Sequence, residues 1–116
     1  MSEVVNKPWG SELIWAKTDK YVGKILTIRK GCQLSRQFHQ VKDETIYVLE
    51  GSLLLELGTV KNLQQKVLMI GESYHIKPSE IHRFCAVNDD VQLLEVSTPE
   101  LDDVIRLEDS YGRVNK

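Results

Sequence analysis

Apolar residues come along this chain in short bursts: LIW at 13–15, VGKILTI at 22–28, TIYVL at 45–49, SLLLEL at 52–57, KVLMI at 66–70, SYHI at 73–76, HRFCAV at 82–87 and VQLLEV at 91–96. The runs are rich in β-branched and aromatic side chains and too short for helices, and turn signals separate them, so each reads as a strand. RKG at 29–31, EGS at 50–52, KPSE at 77–80 and NDD at 88–90 supply that turn chemistry. Near the end, LDDVIRLEDSYG at 101–112 reads as a short helix or an irregular tail. No linker, low-complexity tract or internal repeat interrupts the pattern. The expectation is one all-β domain over 1–116, a sandwich or a barrel.

Composition narrows the function without naming it. Of 116 residues, 41% are hydrophobic and 28% charged, ordinary proportions for a globular domain with a core. Fifteen basic against seventeen acidic residues leave a net charge of −2, so no overall basic field exists to gather nucleic acid or an anionic membrane. An anionic small molecule would need a local basic pocket. The opening MSEVVNKPWG lacks a signal-peptide pattern, and a cytoplasmic location is expected. Cys32 and Cys85 have no CxxC spacing and read as small buried thiols.

Candidate chemistry concentrates in GCQLSRQFHQVKDETIYVLEG, residues 31–51. On a strand, Ser35, Gln37 and His39 share one face, and Arg36 and Phe38 take the other. The QVKD turn then returns the chain so that Glu44 enters from the adjoining strand. His82 begins another strand after a Lys-Pro-Ser-Glu-Ile turn. One amide oxygen, two imidazoles and one carboxylate can thus meet inside a barrel around a divalent cation. Zinc, manganese, cobalt and nickel all suit that mixed donor set.

This stretch resembles the first cupin motif, Gx5HxHx3-4Ex6G, with Gly31, His39, Glu44 and Gly51 in place and Gln37 where the first His usually stands. GESYHIKPSEIHRFCA resembles the second motif, Gx5PxGxxHx3N, through Gly71 and His82, with Lys77, Ser79 and Ala86 at the Pro, Gly and Asn positions. The QxH pair is similar to that of phosphomannose isomerases. NKPWG (6–10), VGKILTIRKGCQLSRQFH (22–39) and DDVIRLEDSYGR (102–113) resemble the isomerase domain at the end of bifunctional mannose-1-phosphate guanylyltransferase/mannose-6-phosphate isomerases. The resemblance implies a jelly-roll barrel, a double-stranded β-helix, holding one metal ion. It also implies interconversion of mannose 6-phosphate and fructose 6-phosphate through an enediol. The chain carries no Gly-rich nucleotidyltransferase segment, and sugar-nucleotide synthesis is not expected of it. Another metal-dependent cupin reaction (epimerase, lyase or oxygenase) and non-catalytic sugar binding are the rival readings, since fold alone does not fix function.

The remaining candidates each carry two readings. Lys42 is either a ligand for a substrate oxygen or phosphate and a catalytic group, or a solvated turn lysine. Arg106 and Arg113 either grip a phosphate through the planar guanidinium or pair with Asp102, Glu108 or Asp109. Glu95 is a catalytic base if its strand face lines the cavity, and a solvated carboxylate if that face looks outward. Arg83, adjacent to His82, is expected on the outside and away from the site. Trp9 and Tyr47 read as packing residues. A homodimer covering exposed strand edges is expected.

Overall fold

A computed structural model describes residues 2–114. Eleven strands form two antiparallel sheets, with a single 3₁₀ turn at Val60–Asn62 the only helix among the described residues. The strands are β1 (Glu3–Lys7), β2 (Gly10–Lys17), β3 (Val22–Ile28), β4 (Arg36–Phe38), β5 (Glu44–Glu50), β6 (Leu53–Leu57), β7 (Gln64–Leu68), β8 (Ser73–Ile76), β9 (His82–Cys85), β10 (Val91–Ser97) and β11 (Ile105–Glu108). One sheet runs β1-β2-β3-β10-β5-β8 and the other β11-β4-β9-β6-β7.

Strand alternation explains both the core and the place of the site. The inward positions of β10 are Val91, Leu93, Glu95 and Ser97, and those of β5 are Glu44, Ile46 and Val48; all are buried. On β3 the same phase runs Val22, Lys24, Leu26 and Ile28. Register aligns like with like: Leu93 faces Leu26 and Val48, Glu95 faces Lys24, and Ser97 faces Glu44. The interior is therefore divided along its length. One end is filled by Leu26, Ile28, Ile46, Val48, Leu53, Leu55, Phe84, Val91 and Leu93, each at most 2% exposed. Burying one such side chain contributes about 1.5–3 kcal/mol, and this plug leaves the other end free to carry polar groups.

Gly51 closes the β5–β6 hairpin at φ +74°, and a Cβ there would stand 2.3 Å from the Asp90 carbonyl oxygen, so the motif glycine answers a steric need. Ser79 occupies the second motif's Gly position with the left-handed φ of 70° that a glycine would take freely.

Two expectations are corrected here, and one strand, β1, was not among those read from the sequence. The segment at 101–112 is neither helix nor irregular throughout: β11 pairs with β4, with Ile105 opposite Phe38 and Arg106 opposite Gln37. The N-terminal residues form β1, which pairs along β2. Arg83 does point away from His82, but it is only 8% exposed, donating through Nε to the Leu34 carbonyl (2.9 Å) and through Nη2 to the Glu108 carbonyl (3.3 Å). The guanidinium is taken up by carbonyls of Leu34 and of Glu108 on β11, another strand of the same sheet, which alternation alone does not disclose. Of the thiols, Cys85 is buried and Cys32 only partly so. Trp9 is buried as expected, whereas Tyr47 is 42% exposed on the outer face.

Candidate metal and substrate site

His39, Glu44 and His82 converge at the polar end of the interior, with one potential ligand atom from each lying within 4.8 Å of the others. All three are buried, at 3%, 3% and 1% exposure. Three different elements deliver them: the end of β4, the start of β5 and the start of β9. Gln37 is the register partner of His82 across β4 and β9, which sets their side chains on the same face. Its Oε1 accepts a hydrogen bond from Ser35 Oγ at 2.5 Å.

Hydrogen bonding orients both rings. His39 Nδ1 lies 2.6 Å from the Asp103 carbonyl oxygen, and His82 Nδ1 lies 2.8 Å from that of Glu80. Carbonyl oxygens only accept, so both Nδ1 atoms carry a proton, and both Nε2 atoms are turned toward the interior. Both Nε2 atoms face a carboxylate: His39 Nε2 lies at hydrogen-bond distance, 2.9 Å, and His82 Nε2 at 3.4 Å from Glu44 Oε1. Among the described residues, His82 Nε2 is buried without a hydrogen-bond partner. Three potential ligand atoms pointed at one place, with the two rings oriented from behind by carbonyls, is the arrangement a divalent cation requires. The residues present fit such an ion.

Lys42 and Glu95 extend the cluster. Lys42 Nζ is 3.4 Å from Glu44 Oε2 and 3.3 Å from Glu95 Oε2, and both Lys42 and Glu95 are buried. This replaces the solvated readings of Lys42 and of Glu95. Burial favours the neutral amine, yet the charges of Glu95 and Glu44 outweigh it and hold the Lys42 pKa above its ordinary value. Burial likewise acts to raise Glu44, but the neighbouring imidazoles of His39 and His82 and the charge of Lys42 hold it well below the usual carboxylate range. Glu95 is pushed up to about 7, by burial first and by Glu44 second, against the pull of Lys42 and Lys24.

Beside this cluster lies a cavity of about 210 Å³, walled by β1–β3, by Gln37, His39 and Lys42, and by residues 101–113. Its lining carries Lys7, Lys24, Lys42, Arg106 and Arg113 against only Glu12 and Asp102. Lys24 is paired with Glu12 at 3.2 Å, and Arg113 with Asp109 at 2.7 Å. Arg113 thus lines the cavity and is also ion-paired, so its two readings coexist. Arg106 forms no ion pair among the described residues, and its buried Nε lacks a hydrogen-bond partner. Burial and then the like charge of Arg113 lower its pKa, the situation an incoming anion would relieve.

Several of these residues escape the sequence reading. Lys24 has a legible signal, a charge in phase with inward Val22, Leu26 and Ile28 on an otherwise apolar strand. Asp103 has none, because its partners lie more than sixty residues away.

Two sheets closed around a polar end, with candidate ligands drawn from the first and second motifs, define a cupin, a double-stranded β-helix protein. Solved structures agree on the fold: KdgF from a Halomonas species superposes with a TM-score of 0.75 at 20% identity, covering 87% of this chain and 91% of that one. Oxalate decarboxylase from Bacillus subtilis superposes with a TM-score of 0.78 at 12% identity over 91% of this chain and 30% of that one. Within this class the chain belongs to the mannose-6-phosphate isomerase C-terminal family, whose pattern matches residues 1–109. It is 33% identical to the mannose-1-phosphate guanylyltransferase ManC of Salmonella typhimurium over 98% of this chain and 24% of that protein. Against the mannose-1-phosphate guanylyltransferase of Escherichia coli it is also 33% identical, over 95% of this chain and 23% of that one. The chain spans about a quarter of the length of these two relatives.

Proposed function

We propose that this chain is a metal-dependent aldose–ketose isomerase that interconverts mannose 6-phosphate and fructose 6-phosphate. The observation that carries the reading is the junction of two features: a buried cluster of three potential metal ligands, and a cavity beside it whose lining is rich in cationic side chains. Zinc, manganese, cobalt or nickel, held by His39, Glu44 and His82 with Gln37 alongside, would supply Lewis-acid polarisation of the sugar's C1 and C2 oxygens. Arg106, with Lys7 and Arg113 nearby on the lining, binds the phosphate dianion. Lys42 keeps its charge and donates hydrogen bonds to substrate oxygens. Glu95, with a pKa near neutrality, takes the proton from C2 as the enediol forms and returns it to C1. Burial of these groups excludes water, which strengthens each of these interactions.

The test is a coupled assay with mannose 6-phosphate on metal-stripped protein, followed by adding back each of the four cations. Restored turnover under anaerobic conditions supports the isomerase and excludes oxygen chemistry. Failure of every cation to restore turnover overturns it. Thermal stabilisation by mannose 6-phosphate without product would instead assign a non-catalytic sugar-binding role.

A further inference from the structure

Two crossovers between the sheets lie side by side at the polar end of the interior. Residues 39–43 carry the chain from β4 to β5, and residues 98–104 carry it from β10 to β11. Both ends of this pair are fixed by strand register, Phe38 opposite Ile105 and Glu44 opposite Ser97. Between them runs a set of contacts converging on one side chain. The Asp103 carboxylate accepts the backbone N–H of Gln40 (3.0 Å), Val41 (2.7 Å) and Lys42 (2.9 Å), while the Asp103 carbonyl accepts His39 Nδ1 (2.6 Å). Thr98 contributes two further bonds, its N–H to the Asp43 carbonyl and its Oγ1 from the Asp43 N–H, both 3.0 Å.

We propose that Asp103 is a positioning residue: its carboxylate clasps the 40–42 backbone so that its own carbonyl meets His39 Nδ1, setting the ring's tautomer and orientation, and holds Lys42 at the cavity wall. The chemistry favours this role over simple loop stabilisation. Three successive N–H groups aimed at one carboxylate form a rigid cradle, and charge-assisted bonds of this kind are roughly twice as strong as neutral ones. The residue making the cradle is also the one orienting a ring with its main chain. One anchor therefore controls both His39 and Lys42, and loosening it releases the carbonyl as well. Other residues of the same crossover, Leu101, Asp102 and Val104, line the cavity, so the clasp also sets that wall. The metal-affinity part of this inference rests on the proposed metal site; the tautomer part does not.

The test compares Asp103→Ala, Asp103→Asn and Thr98→Val. Thr98→Val removes a bond between the same two crossovers without touching the 40–42 cradle, and so measures the purely structural contribution. Long-range ¹⁵N–¹H spectra of the apo proteins at pH 8.5 report the imidazole tautomers directly. The wild type and Thr98→Val should show His39 with the proton on Nδ1, and Asp103→Ala a mixture of tautomers. Asp103→Asn, which keeps one acceptor oxygen, should fall between. Manganese or zinc titration by calorimetry should show affinity about 10- to 100-fold weaker in Asp103→Ala, the range typical of groups that orient a ligand, and within about twofold of wild type in Thr98→Val. If Asp103→Ala folds and keeps a pure Nδ1–H His39, the proposal is overturned. It is also overturned if Thr98→Val shifts the tautomer and affinity as much as Asp103→Ala does. A wild type that binds neither ion refutes the metal site and leaves the tautomer result to decide the clasp.

Discussion

Removing and restoring a metal ion should move the melting temperature by an amount that can be worked out in advance. The three candidate ligand side chains are almost wholly buried and the two imidazole rings are held by carbonyls, so the cluster is preformed in the folded chain and absent from the unfolded one. A ligand that binds only the folded state at about 100 times its Kd stabilises by about 2.7 kcal/mol. Unfolding entropy near 2.1 cal/mol/K per residue gives about 0.24 kcal/mol/K for this length, so 1 kcal/mol corresponds to about 4 °C. The expected rise is therefore about 11 °C. In His82→Ala one of three buried candidate ligands is lost, and a weakening of at least 100-fold at the same ion concentration leaves about 0.4 kcal/mol, a rise of about 2 °C. The assay is thermal denaturation of chelator-treated protein with and without each of zinc, manganese, cobalt and nickel, comparing shifts rather than absolute values because the truncation itself alters the apo protein. A wild-type shift below about 2 °C with all four ions would refute the metal site. A shift of 8 °C or more in His82→Ala would refute the ligand assignment.

Three other outcomes are expected. Arg83→Ala, for all its distance from the cavity, should lose about 2–3 kcal/mol by stranding the carbonyls of Leu34 and Glu108, lowering the melting temperature by about 8–12 °C; a change under 2 °C contradicts the burial argument. Ser79→Gly should raise stability by about 0.5–1 kcal/mol, because relief of a left-handed φ of 70° exceeds the extra chain entropy of glycine, and denaturant unfolding would expose the opposite sign. If Glu95 acts as base, its carboxylate must be ionised, so turnover should rise with pH through about 7, the value to which burial and Glu44 push it. Glu95→Gln should lower kcat by about 10²- to 10⁴-fold and flatten that acid limb. An unchanged pH profile in the variant would assign the proton transfer elsewhere.

The strands were legible wherever a run alternated between a buried and a half-exposed face, as in β5, β6 and β10, because period-two patterning is a direct consequence of one face meeting the core. β1 and β11 were not legible as strands from pattern. β1 is the sheet's edge strand, with Glu3, Val4 and Asn6 exposed, and β11 is half-buried at Ile105, Arg106 and Glu108, so neither shows a clean apolar phase. Their pairing depends on partners, β2 in one case and β4 in the other, rather than on their own composition.

The site divides along the same physical line. Residues that approach through strand alternation could be placed from sequence: Gln37 and His39 share a face, and Glu44 and His82 open the strands that meet it. Lys24 could have been, since its phase matches its apolar neighbours. What the sequence could not supply was the covering of a face or the meeting of two crossovers. Alternation sends Arg83 away from His82, and it does point away; only its bonds to the Leu34 and Glu108 carbonyls, far off in the chain, accompany the burial of an outer residue. Asp103 sits 64 positions from His39, and no local period links them. The candidate metal ligands are set by strand register, a short-range property repeated along the chain, whereas the orientation of His39 is set by hydrogen bonds between distant loops. For that reason the ligand set was more readable than the groups that aim it, and substitutions in the second group are the sharper probe of whether this geometry is needed.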